Sequence, residues 1–396
     1  MAAGSILATR SITSAADAPS AEKPTAATMI AGKDARLVVH LAEPPEIETP
    51  LALLRESRVT PVSLLFVRSN QPMAGAGTLA PLSAAGWKIE IAGLRDGPAE
   101  IALDDLAGLE QVEVEMVLQC SGNGRAIISA VAPAKGAQWE AGAMGNVRFA
   151  GVPLAKVFEH FKIKPREQAQ FLTAEGKDAP AKAGEPDFEH SIPLDDALAR
   201  SMLALGLNGE PLPAAHGGPV RLVTPGYYAT MHVKWLSRLR LEASETNNYH
   251  QVGRYRTPKE PLKPGAPFTS TLTNSDANWR MRVKSVIFSP LAGEKLRAGK
   301  TTIRGVAFGD GSAKIETVLV ALSPEGPWRA AKIEHSASPY AWQHWSIEME
   351  LSRGKQTILA RATDAQGRSQ PLSAAADWNP AGYAFHGAHT IDVVVE

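Results

Sequence analysis

From about Val283 onward the chain changes texture. Short runs of alternating apolar and polar residues, among them Thr301–Val306, Ile315–Leu322, Trp345–Leu351 and Thr357–Thr363, replace the mixed patterns before them. Glycine turns punctuate these runs at Gly309-Asp-Gly, Pro324-Glu-Gly and Asp364-Ala-Gln-Gly. Period-two alternation broken at this spacing implies an antiparallel sandwich. The stretch 257–280, Pro-rich and then polar, suits a crossing into that unit. A chain of 396 residues exceeds one ordinary core, so two domains are expected. The expected class is α+β: a mixed α/β domain over 36–265, then an all-β sandwich over 266–396. Residues 1–35 are small and polar, which implies a flexible tail with order beginning near Leu37.

Composition removes several possibilities. Lys plus Arg and Asp plus Glu both number 41, so the net charge is zero and neither nucleic acid nor an anionic membrane is implied as main partner. No apolar run approaches the ~20 residues of a membrane span. The single cysteine excludes an intrachain disulfide, and no Cys-x-x-Cys-His attaches a c-type haem. The first thirty residues lack both the basic start and the apolar core of a secretory signal.

That cysteine, Cys120, stands at the end of an apolar run from Val112 to Leu118 that reads as a strand. The strand stops at Ser121-Gly-Asn-Gly, and Arg125 follows. A lone cysteine is most often a small buried hydrophobe. A thiol in a glycine-rich loop beside a cation instead suits a thiolate ligand or nucleophile.

Other segments carry candidate chemistry. Val62-Ser-Leu-Leu-Phe66-Val67-Arg68-Ser69-Asn70 reads as a buried strand running into a polar loop, with Arg68 either a surface cation or a ligand-facing one. Short helices are expected at Leu51–Arg55, Leu103–Leu106, near Pro153, and after Ser191-Ile-Pro-Leu. In the run from His216 to Trp235, Val220–Val223 reads as a strand and His216, Arg221 and Lys234 gather on one turn region. Such cations need either solvent or an anion, and an arginine fork with a lysine suits a phosphate. Tyr249 and Tyr255 flank Arg254. His386 and His389 share a loop without partner acids, too little for a metal site.

Taken together, Leu118-Gln-Cys120-Ser-Gly-Asn-Gly-Arg125, Phe66-Val-Arg68-x-Asn70, His216-Gly-Gly-Pro-Val-Arg221, Val233-Lys-Trp235 and the closing Trp378-Asn-Pro-Ala-Gly-Tyr383 resemble the sulfite oxidase family of molybdenum enzymes. The resemblance runs from about residue 40 to the C-terminus and lies nearest bacterial sulfite dehydrogenases whose catalytic subunit lacks haem. It implies a molybdenum–molybdopterin cofactor, with Cys120 as the single protein ligand to the metal. It implies a substrate pocket of Arg68, Arg125, Trp139 and Tyr255, Tyr249 being the competing tyrosine. It implies cofactor contacts from Phe66, Ser69, Asn70, His216, Arg221, His232, Val233 and Lys234. The family more often has Asn-His where this chain has Ser69-Asn70.

The implied activity is oxidation of sulfite to sulfate. Electrons would pass singly to an external c-type cytochrome, since the chain has no haem motif of its own. A periplasmic location and a homodimer formed by a second domain of immunoglobulin-like fold, over 266–396, are likewise implied. The alternatives are a molybdenum reductase of nitrate or a sulfoxide, and a cofactor-free binding module.

Overall fold

The computed structural model describes residues 24–396 other than Ala107. Two five-stranded sheets build the first part of the chain. One has the order Ala99–Ala102, Lys88–Ala92, Leu236–Glu242, Phe171–Gly176, Glu189–Pro193. The other runs Glu210–Pro211, Met202–Leu207, Met144–Pro153, Val112–Gln119, with Arg221–Val223 also paired to Met202–Leu207. The cysteine strand and the Arg221 strand therefore belong to one sheet. Four consecutive buried residues end the cysteine strand, Met116 to Gln119, as expected of a strand covered on both faces.

Pro153 and Pro193 convert strands to helices in the same way. Each holds an extended conformation that closes a strand, and Leu154–His160 or Leu194–Arg200 follows at once. Asp195 and Asp196 in the first turn of the second helix complement its dipole. Leu154, Val157, Leu194 and Ala197 pack these helices on Ile89, Ile91, Leu172 and Leu239 of the first sheet.

The second part is a two-sheet sandwich, as the alternation requires. One sheet has the order Lys284–Ser289, Gly299–Phe308, Gln343–Leu351, Lys332–Glu334. The other has Lys295–Leu296, His389–Val395, Gly354–Asp364, Ile315–Ala321, Arg329–Ala330. Along His389–Val395 buried and exposed residues alternate without a break, and Ile391, Val393 and Val395 meet Ile303, Val318 and Ile358 in the core. A further apolar cluster joins the two parts: Leu54, Val117, Met144 and Tyr255 pack with Val286, Phe288, Trp342 and Tyr383. No helix among the described residues is long and apolar enough to cross a membrane.

Two expectations fail. The flexible tail was to reach residue 35; residues 1–23 lie outside the described residues, but Pro24 to Asp34 are fixed in place. Thr25 caps the helix Ala26–Met29 with a capping box, and Ala26 and Ile30 are buried against Ile47, Leu53, Leu64 and Ala215. Small residues here fill a groove that only the folded chain creates. The run Val62–Phe66 is not a strand either. The Leu64 and Leu65 amides bond back to the Pro61 carbonyl, which makes a turn, and only Val67–Arg68 pairs, with Glu46–Glu48.

Candidate active site

Cys120 is 8% exposed, at the end of its strand, where its amide bonds to the Ala143 carbonyl. The next residues form a tight loop. Asn123 Oδ1 accepts the Ala143 amide at 3.0 Å, Asn123 Nδ2 donates to Gln119 Oε1, and the Gly122 amide points at Cys120 Sγ at 3.4 Å. Gly124 has φ +96°, and a Cβ there would lie 2.4 Å from the Phe385 ring. Only glycine serves at that position. Burial pushes the Cys120 thiol up, while Arg125, the Gly122 amide and Arg68 pull it down.

A cavity opens beside this sulfur. Phe66, Arg68, Asn70, Leu118 and Cys120 line it together with His216, Arg221, His232 and Lys234, and with Asp178, Phe188, Thr230 and Tyr255. Arg68 pairs with Glu46 at 3.2 Å, donates to the Ser69 carbonyl, and donates through Nη2 to Asn70 Oδ1 at 2.8 Å. The same Asn70 oxygen accepts the Tyr255 hydroxyl at 2.7 Å. Tyr255 holds a left-handed φ of 54°, uncommon for a non-glycine residue and concentrated at functional positions.

Much of the lining is cationic. Arg221 donates to the His232 and His216 carbonyls at 3.0 and 3.2 Å. Burial alone lowers its pKa to about 9. Lys234 Nζ donates to Ser69 Oγ at 2.7 Å and lies 4.3 Å from the Trp235 ring centroid. Among the described residues neither cation has a carboxylate within 4.0 Å. Asp178 faces the same cavity with its carboxyl raised to about 7 by burial, which Lys234 opposes. His232 is held neutral, its pKa lowered to about 3 by burial and Arg221. Its Nε2 donates to the Thr224 carbonyl, and its buried Nδ1 has no partner.

The structure sorts the remaining sequence candidates. Arg125 begins the helix Arg125–Val131, and its guanidinium is committed to the Ala381 and Ala137 carbonyls, each at 2.7 Å. It stands 5.2 Å from the Tyr383 ring centroid, behind the cavity wall. Trp139 is buried in the apolar cluster that holds Cys120 and Phe66, edge-on to His40. Val233 is buried and does not line the cavity, and its carbonyl is taken up by the Leu222 amide. Tyr249 is 55% exposed and does not line the cavity, so Tyr255 is the tyrosine of the site.

Sequence reasoning missed four residues around the site. Asp178 carries no local pattern. Lys33 lay in the supposed tail. Tyr383 stacks on Tyr255 at 5.1 Å from the second part of the chain, and the Arg254 guanidinium lies 5.2 Å from the Tyr255 ring centroid. The quoted Trp-Asn-Pro motif contained Tyr383, but its spacing gave no sign of that contact.

Unpaired buried cations are costly unless an anion satisfies them. A soft sulfur, an arginine, a lysine and an orphaned imidazole nitrogen form one donor set that suits an anionic, sulfur-rich metal cofactor. Residues 76–250 match the oxidoreductase molybdopterin-binding domain. Residues 275–395 match the Mo-co oxidoreductase dimerisation domain. The human mitochondrial sulfite oxidase is 29% identical over 370 residues, 91% of this chain and 66% of that protein. The chain thus spans just under two thirds of that relative. The Arabidopsis thaliana sulfite oxidase is 28% identical over 381 residues, 90% of this chain and 93% of that one. The chain belongs to the sulfite oxidase family. Among solved structures, the sulfane dehydrogenase SoxCD of Paracoccus pantotrophus matches with a TM-score of 0.72 and 26% identity, over 89% of this chain and 87% of that one. Membership assigns the cavity a molybdenum cofactor, and the donor set described above fits it.

Proposed function

We propose that the protein is a sulfite dehydrogenase that oxidises sulfite to sulfate and delivers the electrons singly to an external c-type cytochrome. The observation that carries this reading is the convergence of Cys120, Arg68 and the Arg221–Lys234 wall on one cavity. The bound molybdenum cofactor supplies the two-electron redox chemistry and the oxygen transfer. Cys120 is the residue to hold the metal, and Arg221, Lys234 and His216 the residues to hold the pterin and its phosphate.

The chain's own share is electrostatic and steric. Arg68 is fixed by Glu46, Ser69 and Asn70, so it meets a small oxyanion with little reorganisation. A charge-assisted hydrogen bond of this kind contributes about 1.5–3 kcal/mol. Asn70 sets the Tyr255 hydroxyl beside that arginine. Phe66, Leu118 and Phe188 exclude water from the same space. Arg125 acts from behind, lowering the cost of a thiolate at Cys120.

The dimerisation-domain match supports a homodimer. Periplasmic residence is part of the same proposal and rests on the family resemblance.

Protein from a host that makes molybdopterin is assayed with sulfite and ferricyanide, then with sulfite and cytochrome c. Molybdenum-loaded protein without sulfite-dependent reduction refutes the reading. A second reading is oxidation of a sulfane sulfur. The likeness to SoxCD favours it, as does the withdrawal of Arg125 from the cavity, which leaves one arginine to face the substrate. Turnover with a persulfide but not with sulfite would establish it. Reduced viologen with nitrate or a sulfoxide tests the reductase alternative, to which the 28% identity with barley nitrate reductase is relevant. Absence of molybdenum would indicate a binding module.

A further inference from the structure

Lys33 lies in the N-terminal segment, outside both family matches. It is 4% exposed. Its Nζ lies 2.5 Å from both the Val62 and Leu65 carbonyls and 2.9 Å from His216 Nε2. Burial, then Lys234, lowers its pKa well below the ordinary lysine value, whereas the two carbonyls, which can only accept, favour the ammonium. An ammonium has three N–H groups and no acceptor. The socket therefore matches it donor for acceptor. The segment is latched on both sides of this lysine. The Ala31 amide bonds to the Gly77 carbonyl, the Leu79 amide to Ala31, and the Asp34 amide to Ser63.

His216 lines the cofactor cavity and is held neutral, first by burial and then by Lys33, Lys234 and Arg221. A neutral imidazole carries one N–H, and the partner of one nitrogen decides which nitrogen bears it. An ammonium on Nε2 leaves the proton on Nδ1. Among the described residues Nδ1 has no geometric hydrogen-bond partner, while the Val62 carbonyl, which already holds Lys33, acts on the His216 ring as a competing acceptor.

We infer that Lys33 is a positioning residue for the cofactor site: it fixes His216 in the Nδ1–H tautomer, so that the histidine presents a hydrogen-bond donor to the anionic cofactor. The inference rests on the molybdopterin reading of the cavity. Without that bond the Nε2–H form, the commoner one for a free histidine, competes, and it turns a lone pair where a donor is needed. Loss of such an orienting partner typically weakens a site by about 10–100-fold.

The test uses Lys33→Met, Lys33→Arg and, as a control for arm packing alone, Ile30→Ala. The first readout is the His216 tautomer from imidazole ¹⁵N shifts of cofactor-free protein. The second is pterin and molybdenum retained after dialysis. The expected result is Nδ1–H in the wild type, loss of that tautomer in Lys33→Met, and at least tenfold lower retention. Lys33→Arg restores part of the retention. Ile30→Ala lowers the melting temperature but leaves the tautomer unchanged. Nε2–H in the wild type, or an unchanged tautomer in Lys33→Met, overturns the inference. So does equal loss of cofactor in Ile30→Ala. Absence of pterin from wild-type protein made in a competent host would instead overturn the cofactor reading and leave the tautomer result standing.

Discussion

Asn70→Ala isolates the bond that joins Arg68 to Tyr255 in the cavity wall. One oxygen accepts both Arg68 Nη2 at 2.8 Å and Tyr255 Oη at 2.7 Å. Removing it strips a charge-assisted bond of about 1.5–3 kcal/mol from Arg68. The lower end applies, because Glu46 and the Ser69 carbonyl still restrain that guanidinium. It also orphans a hydroxyl on a residue only 4% exposed, which costs about 1–3 kcal/mol. Together these place the loss near 3 kcal/mol, or about a hundredfold in kcat/KM for sulfite with ferricyanide as acceptor. Asn70→Asp keeps the acceptor but sets a negative charge against an anionic substrate, so it raises KM more than it lowers kcat. In a double-mutant cycle with Tyr255→Phe the two losses overlap by more than about 1 kcal/mol, since both remove one contact. A kcat/KM within threefold of wild type for Asn70→Ala, or strict additivity in the cycle, refutes the reasoning.

Cys120→Ser abolishes sulfite oxidation while far-UV circular dichroism stays native; measurable turnover at wild-type rate would remove Cys120 from the metal. Gly124→Ala forces a methyl group to 2.4 Å from the Phe385 ring in a left-handed backbone; it costs more than about 2 kcal/mol in urea unfolding, and Phe385→Ala added to it recovers part of that loss. His389 sits in the sandwich with its pKa lowered to about 4 by burial and Lys284, and its Nδ1 accepts the Ile287 amide. The unfolded chain binds that proton from about pH 6.5 downward and the native chain only near pH 4, so stability present above pH 6.5 is lost as pH falls to 4, by about 3 kcal/mol. Replacing His389 with Gln flattens that slope in melts between pH 7 and 4, and an unchanged slope contradicts the assignment.

How much was legible follows from how local each determinant is. Cys120, its strand and its glycine loop were readable because period, breaker and reactive atom occur within fourteen residues. Arg221–Val223 and the sandwich strands were readable for the same reason. Val62–Phe66 misled because an apolar run has no period to separate strand from buried turn, and the Pro61 carbonyl decided for the turn. Arg125 was found by type but not by direction: its Nε partner is Ala381, 256 positions away. Lys33 was hidden because nothing in a small-residue segment announces the groove that receives it. Asp178 and Tyr383 depend in the same way on surfaces that exist only after folding.

The stretch from Ala381 to Phe385 carries a lesson about modularity. It grips the Arg125 guanidinium with a carbonyl, stacks Tyr383 on Tyr255, and seats Phe385 against Gly124. The sandwich thus furnishes outer scaffolding for the cavity beside Cys120. A chimera that joined the first part of this chain to a foreign sandwich would keep Cys120 yet lose the props that aim the groups around it. The two halves are bound to change in concert, and a shortened enzyme ending at the Pro-rich crossing would be a cradle without its back wall.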